Sequence, residues 1–136
     1  MNRLLPVLLL LSSPAYACDW YVMSDKIDPM TDDRVCTIRS PAANLALSVR
    51  AGRVTFATGS AYGPRDGLSV RVDDYPQILL GERSRSTDAH GDNARMALHQ
   101  IVSGSRLRVS YLDYPNNKTG DAPICTLPAL LASCAQ

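Results

Sequence analysis

The chain has 136 residues with 14 basic and 13 acidic side chains, which gives a formal net charge of +1. This length predicts one domain, and the near-neutral charge argues against nucleic acid or an anionic membrane as a partner, because both are bound through an excess of positive charge. All but one of the acidic residues are Asp, and because Asp favours turns over helices, the composition favours strands joined by turns.

The segment 1–17 is predicted to be a cleavable secretory signal. Arg3 precedes an apolar run, and Ala15 and Ala17 supply the small residues that a signal peptidase accepts. The run is shorter than the roughly 20 residues that cross a bilayer. We therefore expect a single soluble domain, 18–136, that is periplasmic or secreted and is not inserted in a membrane.

A lipoprotein acylated on Cys18 is the alternative interpretation of this start. Lipoprotein signals usually carry Leu three residues before the modified cysteine, and here that residue is Ala15. Lipidation would also leave an odd number of cysteines. Both mismatches favour cleavage before an unmodified Cys18.

Alternation of apolar and polar residues predicts strands in the first part of the chain. The pattern is clearest in Leu68–Asp73, where Leu68, Val70 and Val72 are expected to be buried and Arg71 and Asp73 to lie on the opposite face. The stretch Gly59–Gly67 is too rich in Gly and Pro for regular structure and is predicted to be a loop. Other predicted strands are Trp20–Val22, Val35–Ile38, Leu45–Arg50, Arg53–Ala57 and Ile78–Leu80, with a polar loop over Asp25–Arg34.

One helix and two further strands are predicted in the last part of the chain. Asp92 or Asn93 is a suitable helix cap, and Gly104 suits the end of that helix. Its predicted apolar positions are Met96, Ala97, Leu98, Ile101 and Val102. After it we expect a strand over Leu107–Tyr111, a loop over Asp113–Asp121, a strand over Ile124–Leu127 and a short helix from Pro128 to Cys134. The predicted fold is mainly β, an antiparallel β-sandwich or curled sheet with one or two short helices.

Four cysteines in an exported chain predict two disulfides, because the compartment is oxidising and no zinc-ligand spacing is present. Four cysteines allow three pairings. The favoured pairing joins Cys18 to Cys36 and Cys125 to Cys134, which would tie down each end of the chain locally. The rival pairing joins Cys18 to Cys134 or Cys125 and would be expected if the two terminal strands were neighbours.

No pattern in the sequence predicts catalysis, a cofactor or a metal. The two histidines, His90 and His99, are not accompanied by a nucleophile motif such as Gly-x-Ser-x-Gly. The acidic residues of the predicted polar loop lack the spacing of a calcium-binding loop and are better explained as a polar turn; they are Asp25, Asp28, Asp32 and Asp33. We therefore expect a protein that is not an enzyme.

Two groups of residues are candidates for a recognition surface. Tyr62, Arg65 and Asp66 occupy the Gly- and Pro-rich loop, and exposed loop tips often carry recognition residues. Arg71 and Asp73 share a predicted strand face, although a cross-strand ion pair at the sheet surface is the favoured explanation for them.

The chain resembles small envelope proteins in several scattered segments. These are Trp20, Asp28–Asp32, Arg71–Asp73, the Met96–Val102 helix before Leu107–Tyr111, and Leu127–Cys134. The resemblance is to type VI secretion-associated accessory proteins and, more loosely, to invasion-associated locus B-like proteins. It implies a periplasmic β-rich fold with an accessory or recognition role. The middle of the chain departs from this pattern, because it lacks a further cysteine and an aromatic-rich strand.

Together these observations predict a noncatalytic binding or accessory module that acts on another envelope or secreted protein. The alternatives are a small inhibitor of a cell-wall enzyme and a small hydrolase with dispersed catalytic residues. The oligomeric state does not follow from the sequence.

Overall fold

Strands make up half of the residues that the structure describes. The structure is a computed structural model, and it describes residues 18–58, 68–80, 87–88, 92–113 and 115–136. The predicted signal segment and the predicted loop Gly59–Gly67 lie outside these residues. The elements in chain order are β1 (Tyr21–Ile27), β2 (Arg34–Ser40), β3 (Leu45–Arg50), β4 (Arg53–Thr58), β5 (Ser69–Val72), β6 (Ile78–Leu79), β7 (Thr87–Asp88), α1 (Asp92–Ser103), β8 (Arg106–Asp113), β9 (Asn116–Pro123) and α2 (Leu127–Cys134).

The strands form two antiparallel sheets. The first sheet has the order β1-β2-β3-β4-β7, and the second has the order β6-β5-β8-β9. The β3–β4 connection is a two-residue turn in which Ala51 and Gly52 have φ of 48° and 75°. Positive φ at both positions is the geometry that matches the twist of a two-stranded hairpin. The mainly β class and the hairpin predicted from this segment are therefore confirmed.

Apolar residues from both sheets and both helices form one buried cluster. In the first sheet Ile38, Leu47 and Phe56 occupy one cross-strand row and are fully buried. In the second sheet Val70 pairs with Val109, and both are buried. The predicted burial of Leu68, Val70 and Val72 is confirmed. Within the described residues, no helix is long and apolar enough to cross a membrane.

The predicted final strand is wrong. The segment expected to be a loop forms most of β9, which pairs with β8 over its whole length, whereas Ile124–Thr126 lies between β9 and α2. Most side chains of β9 are polar and exposed, because it is an edge strand. Its stability comes from the backbone ladder, so the sequence lacks the alternation that identifies a half-buried strand.

Helix α1 lies where it was predicted, and its predicted apolar face is confirmed in part. Ala97 and Ile101 are buried and Leu98 packs against the core, whereas Met96 and Val102 are exposed. Ala94 is also buried. The small alanines allow α1 to approach the sheet closely. Gly104, directly after α1, is required by the same close approach, because a Cβ there would lie 2.3 Å from Cγ1 of Val72.

Two disulfides are present, as predicted, but the favoured pairing is wrong. The bonds join Cys18 to Cys125 and Cys36 to Cys134. Cys36 lies opposite Asp25 in the β1–β2 register, which puts it about 20 Å along β1 from Cys18. Bonded cysteines need Cα atoms within about 7 Å. The rival pairing of Cys18 with Cys125 is the one observed, and it accompanies a hydrogen bond of 2.8 Å from Nε1 of Trp20 to the carbonyl oxygen of Pro123.

Candidate functional site

The predicted recognition residues divide into two sets. Tyr62, Arg65 and Asp66 lie outside the described residues. Arg71 and Asp73 are described, and they do not form the expected surface ion pair. Nε of Arg71 donates a hydrogen bond of 2.9 Å to the carbonyl oxygen of Tyr75. Arg71 lies on the outer face of the second sheet, and Asp73 does not neutralise its charge.

Asp73 holds a turn together. It follows the end of β5 with a φ of 47°, so the predicted strand Leu68–Asp73 is one residue too long at this end. Its carboxylate accepts hydrogen bonds from the backbone N–H groups of Ser105, at 3.2 Å, and Arg106, at 2.8 Å. Both carboxylate oxygens are therefore used to connect the end of β5 to the start of β8. This geometry favours a structural role for Asp73.

The most distinctive surface of the described chain is the edge strand β1. All of its residues except Ser24 are exposed, so neither face of this strand is covered by the core. Met23 and Ile27 are 48% and 58% exposed, and Met30 in the following turn is 88% exposed. We call the exposed apolar residues Tyr21, Val22, Met23, Ile27 and Met30 the β1 surface. Isolated apolar residues at a surface are ordinary, whereas these five lie together on one strand and the turn that follows it.

The outer edge of β1 has no strand partner among the described residues. Its inner edge pairs with β2, and the register shifts between Val22 and Ser24, so that Met23 is an additional residue in a bulge. Bulges are frequent at edges, where they limit uncontrolled pairing and redirect side chains. Here the bulge lies within the apolar half of the strand and presents Met23 to solvent.

Ion pairs attach the other half of β1 to the body of the protein. Arg34 donates two hydrogen bonds of 2.8 Å to the carboxylate of Asp25, and it also donates to the main-chain oxygens of Ser133 and Gln136 beyond β1. The hydrogen bonds from Arg34, together with its charge, hold the pKa of Asp25 below its ordinary value of 3.8. Arg34 thus links β1 to the carboxyl end of α2, next to the Cys36–Cys134 disulfide.

Three of the four acidic residues of the predicted polar loop, Asp25, Asp28 and Asp33, bind arginines. Arg50 lies 3.0 Å from Asp28 and 3.1 Å from Asp33, and its terminal nitrogen also donates to Thr31. The loop is shorter than predicted, because Asp25, Lys26 and Ile27 belong to β1. Within the described residues, no group of three or more His, Cys, Asp or Glu side chains is placed to hold a metal ion.

The histidines do not form a described site. His99 is exposed on α1, and His90 lies outside the described residues. Two cavities lie on the second sheet: one of about 350 Å³ is lined by Ser105, Arg106, Asp121 and Pro123, and one of about 200 Å³ includes Arg71. In the larger cavity the hydrogen bond from Arg106 holds the pKa of Asp121 below its ordinary value of 3.8.

The positions that carry the family resemblance are distributed over the whole fold. Trp20 is buried against the end of β9, Asp28–Asp32 form the β1–β2 turn, and Leu127–Cys134 form α2. They therefore belong to separate elements of the fold. Comparisons of the chain with protein-family models, with curated proteins and with solved structures found no match.

Proposed function

We propose that this chain is a noncatalytic, exported binding or accessory module of the bacterial envelope, and that it holds an extended segment of another envelope or secreted protein along β1. The observation that carries the proposal is the exposed edge of β1 with its apolar side chains. A strand edge offers unpaired backbone N–H and C=O groups, and an added strand gains affinity from the backbone and specificity from the side chains.

Other edges of the two sheets fit a partner strand less well. Strand β9 is polar, and the turn before β3 lies against it: a Cβ on Gly120 would be 2.1 Å from the carbonyl oxygen of Ala43. Strands β6 and β7 have two residues each. Among the described edges, β1 alone combines a free length of seven residues with several exposed apolar side chains.

Export is supported by the sequence of segment 1–17 and by the two disulfides, because disulfides persist in oxidising compartments. The sulfur of Cys18 is bonded to Cys125, which argues against the thioether of a lipoprotein. Intact-mass measurement of periplasmic or secreted material should give a chain that begins at Cys18 with two disulfides. A mass increased by a diacylglyceryl group would overturn this part of the proposal.

The binding test compares two double variants. Met23→Lys with Ile27→Lys places charge on the β1 surface. Met96→Lys with Val102→Lys is the matched control, because these residues are 47% and 65% exposed on α1, an element that packs against β5, β6 and α2. Each tagged protein, 18–136, is incubated with periplasmic and secreted proteins of its source. A partner retained by the parent and the control but lost from the β1 variant is identified, purified and recombined.

Hydrogen exchange on the purified pair then locates the contact. Protection of β1 amides supports the proposal. A partner that binds both variants equally, or that protects other elements and leaves β1 unchanged, would contradict it. Sedimentation of the chain alone is measured in parallel, and a dimer that dissociates only in the β1 variant would replace the envelope partner with a second copy of this chain.

A further inference from the structure

The outer face of the second sheet brings two arginines together. Arg71 on β5 lies directly opposite Arg108 on β8 in the antiparallel register. Like charges at this position destabilise a sheet, and in the described part of the chain neither guanidinium forms an ion pair. The carboxylate in the same row, Asp121, is bound by Arg106 and also interacts electrostatically with Arg108. The side chains Arg71, Arg106 and Arg108 therefore share one carboxylate, which leaves a net positive charge at this place on a nearly neutral chain.

Backbone carbonyl groups hold both side chains in place. Nε of Arg71 donates to the carbonyl oxygen of Tyr75, and a terminal nitrogen of Arg108 donates to that of Asp73, each at 2.9 Å. Both acceptors belong to the turn between β5 and β6. Each guanidinium is thus anchored through one nitrogen to a neutral group, which fixes its position without neutralising its charge.

A cavity of about 200 Å³ lies at this pair. Its polar lining residues are Ser69, Arg71, Gln77, Arg108 and Ser110. Ser69 is buried, and its hydroxyl accepts a hydrogen bond from the side-chain amide of Gln77. Nε of Arg108 is buried and has no hydrogen-bond partner in the described structure. A buried donor of this kind costs free energy unless it finds an acceptor.

We propose that this cavity binds a small oxyanion group, a carboxylate or a phosphate, between Arg71 and Arg108. Guanidinium groups present several donors in a planar fork that matches the oxygens of both anions. The hydroxyl groups of Ser69 and Ser110 border the same space and add further donors. The site lies on the second sheet, whereas the β1 surface is on the first, so this inference goes beyond the proposed function and does not depend on it.

The test is a titration of the isotopically labelled domain, 18–136, followed by NMR. Inorganic phosphate and acetate are the probes, with sodium chloride at equal ionic strength as the reference. We expect saturable shifts confined to amides of β5 and β8 and to the side-chain amide of Gln77. Because a hydrogen bond to a charged group contributes about 1.5–3 kcal/mol, Arg108→Gln should weaken binding about tenfold or more. Arg53→Gln, which changes an exposed arginine on β4, is the matched control and should bind as the parent does.

Arg71→Lys keeps the charge and serves as a second variant in case Arg108→Gln does not fold. It should retain weakened binding, because an ammonium group lacks the planar fork. Saturation by both anions assigns a general oxyanion site, and saturation by phosphate alone assigns a phosphate site. Shifts that never saturate, shifts spread over the whole surface, or equal affinity in the parent and Arg71→Lys would overturn the inference.

Discussion

Replacing Gly120 with alanine should destabilise the protein through a collision between backbones. The added Cβ would lie 2.1 Å from the carbonyl oxygen of Ala43 and 2.5 Å from its carbonyl carbon. Backbone atoms cannot rotate away as a flexible side chain can, so β9 must separate from the β2–β3 turn. Overpacking costs about 1–3 kcal/mol, and a contact with backbone belongs at the upper end, about 3 kcal/mol. For a domain of this size, the expected loss in melting temperature is about 10–15 °C.

Urea unfolding of Gly120→Ala and Gly52→Ala separates this steric cost from a purely conformational one. A Cβ on Gly52 would meet nothing within 4 Å, but its φ is +75°, so its replacement should cost only about 1 kcal/mol. A Gly120→Ala variant as stable as the parent would refute the close approach of β9 to Ala43. Equal losses of unfolding free energy in Gly120→Ala and Gly52→Ala would refute the distinction between steric and conformational costs.

Three further predictions concern the core, the charged pairs and the disulfides. Val70→Asp should lower the unfolding free energy measured by chemical denaturation by at least about 4 kcal/mol, because Val70 is fully buried. Arg71→Ala removes one hydrogen bond and should lower it by about 1 kcal/mol or less. Hydrogen bonds from Arg34 and Arg106 lower the pKa of Asp25 and Asp121 below 3.8. The stability that these two pairs contribute is therefore present above about pH 4 and is lost as the pH falls through the lowered pKa values. A double variant, Asp25→Asn with Asp121→Asn, should lose less unfolding free energy than the parent on acidification, and an equal loss in both proteins would contradict this. Replacing Cys36 and Cys134 with serine while Cys18–Cys125 stays closed opens a loop of about 27 residues, from Cys36 back to Cys18 and from Cys125 on to Cys134. The loss should be about 3.5 kcal/mol of unfolding free energy by the chain-entropy model, and an unchanged urea midpoint would argue against that disulfide.

Alternation of apolar and polar residues predicted the strands in which buried and exposed side chains alternate. The hairpin of β3 and β4 follows from alternation on both sides of Ala51 and Gly52, and the burial of Val70 and Val72 follows from the same rule. Strand β9 could not be found in this way. Its side chains are polar because it lies at an edge, and whether a strand lies at an edge depends on the order of the sheet.

The candidate sites depend on non-local pairing. The sequence drew attention to Arg71 but suggested Asp73 as its neighbour, whereas the register places Arg108 opposite it. Alternation along β8 indicates that Arg108 faces outward, yet only the β5–β8 pairing brings the two arginines together. In the same way, the sequence predicted a strand at Trp20–Val22 but not its surroundings, and the exposure of Tyr21 and Val22 follows from the position of β1 at the end of the sheet.

The connectivity of the two disulfides constrains how the protein matures. During the proposed export, Cys18 and Cys36 enter the oxidising compartment before Cys125 and Cys134, yet each must bond to one of the later pair. An oxidant that acts on cysteines in the order of their emergence would first join Cys18 to Cys36, a bond absent from the native protein. Native connectivity then requires either that oxidation wait until the whole chain has emerged or that thiol–disulfide exchange correct the early bond. Efficient production of this protein should consequently depend on a disulfide isomerase more than on a strong oxidant.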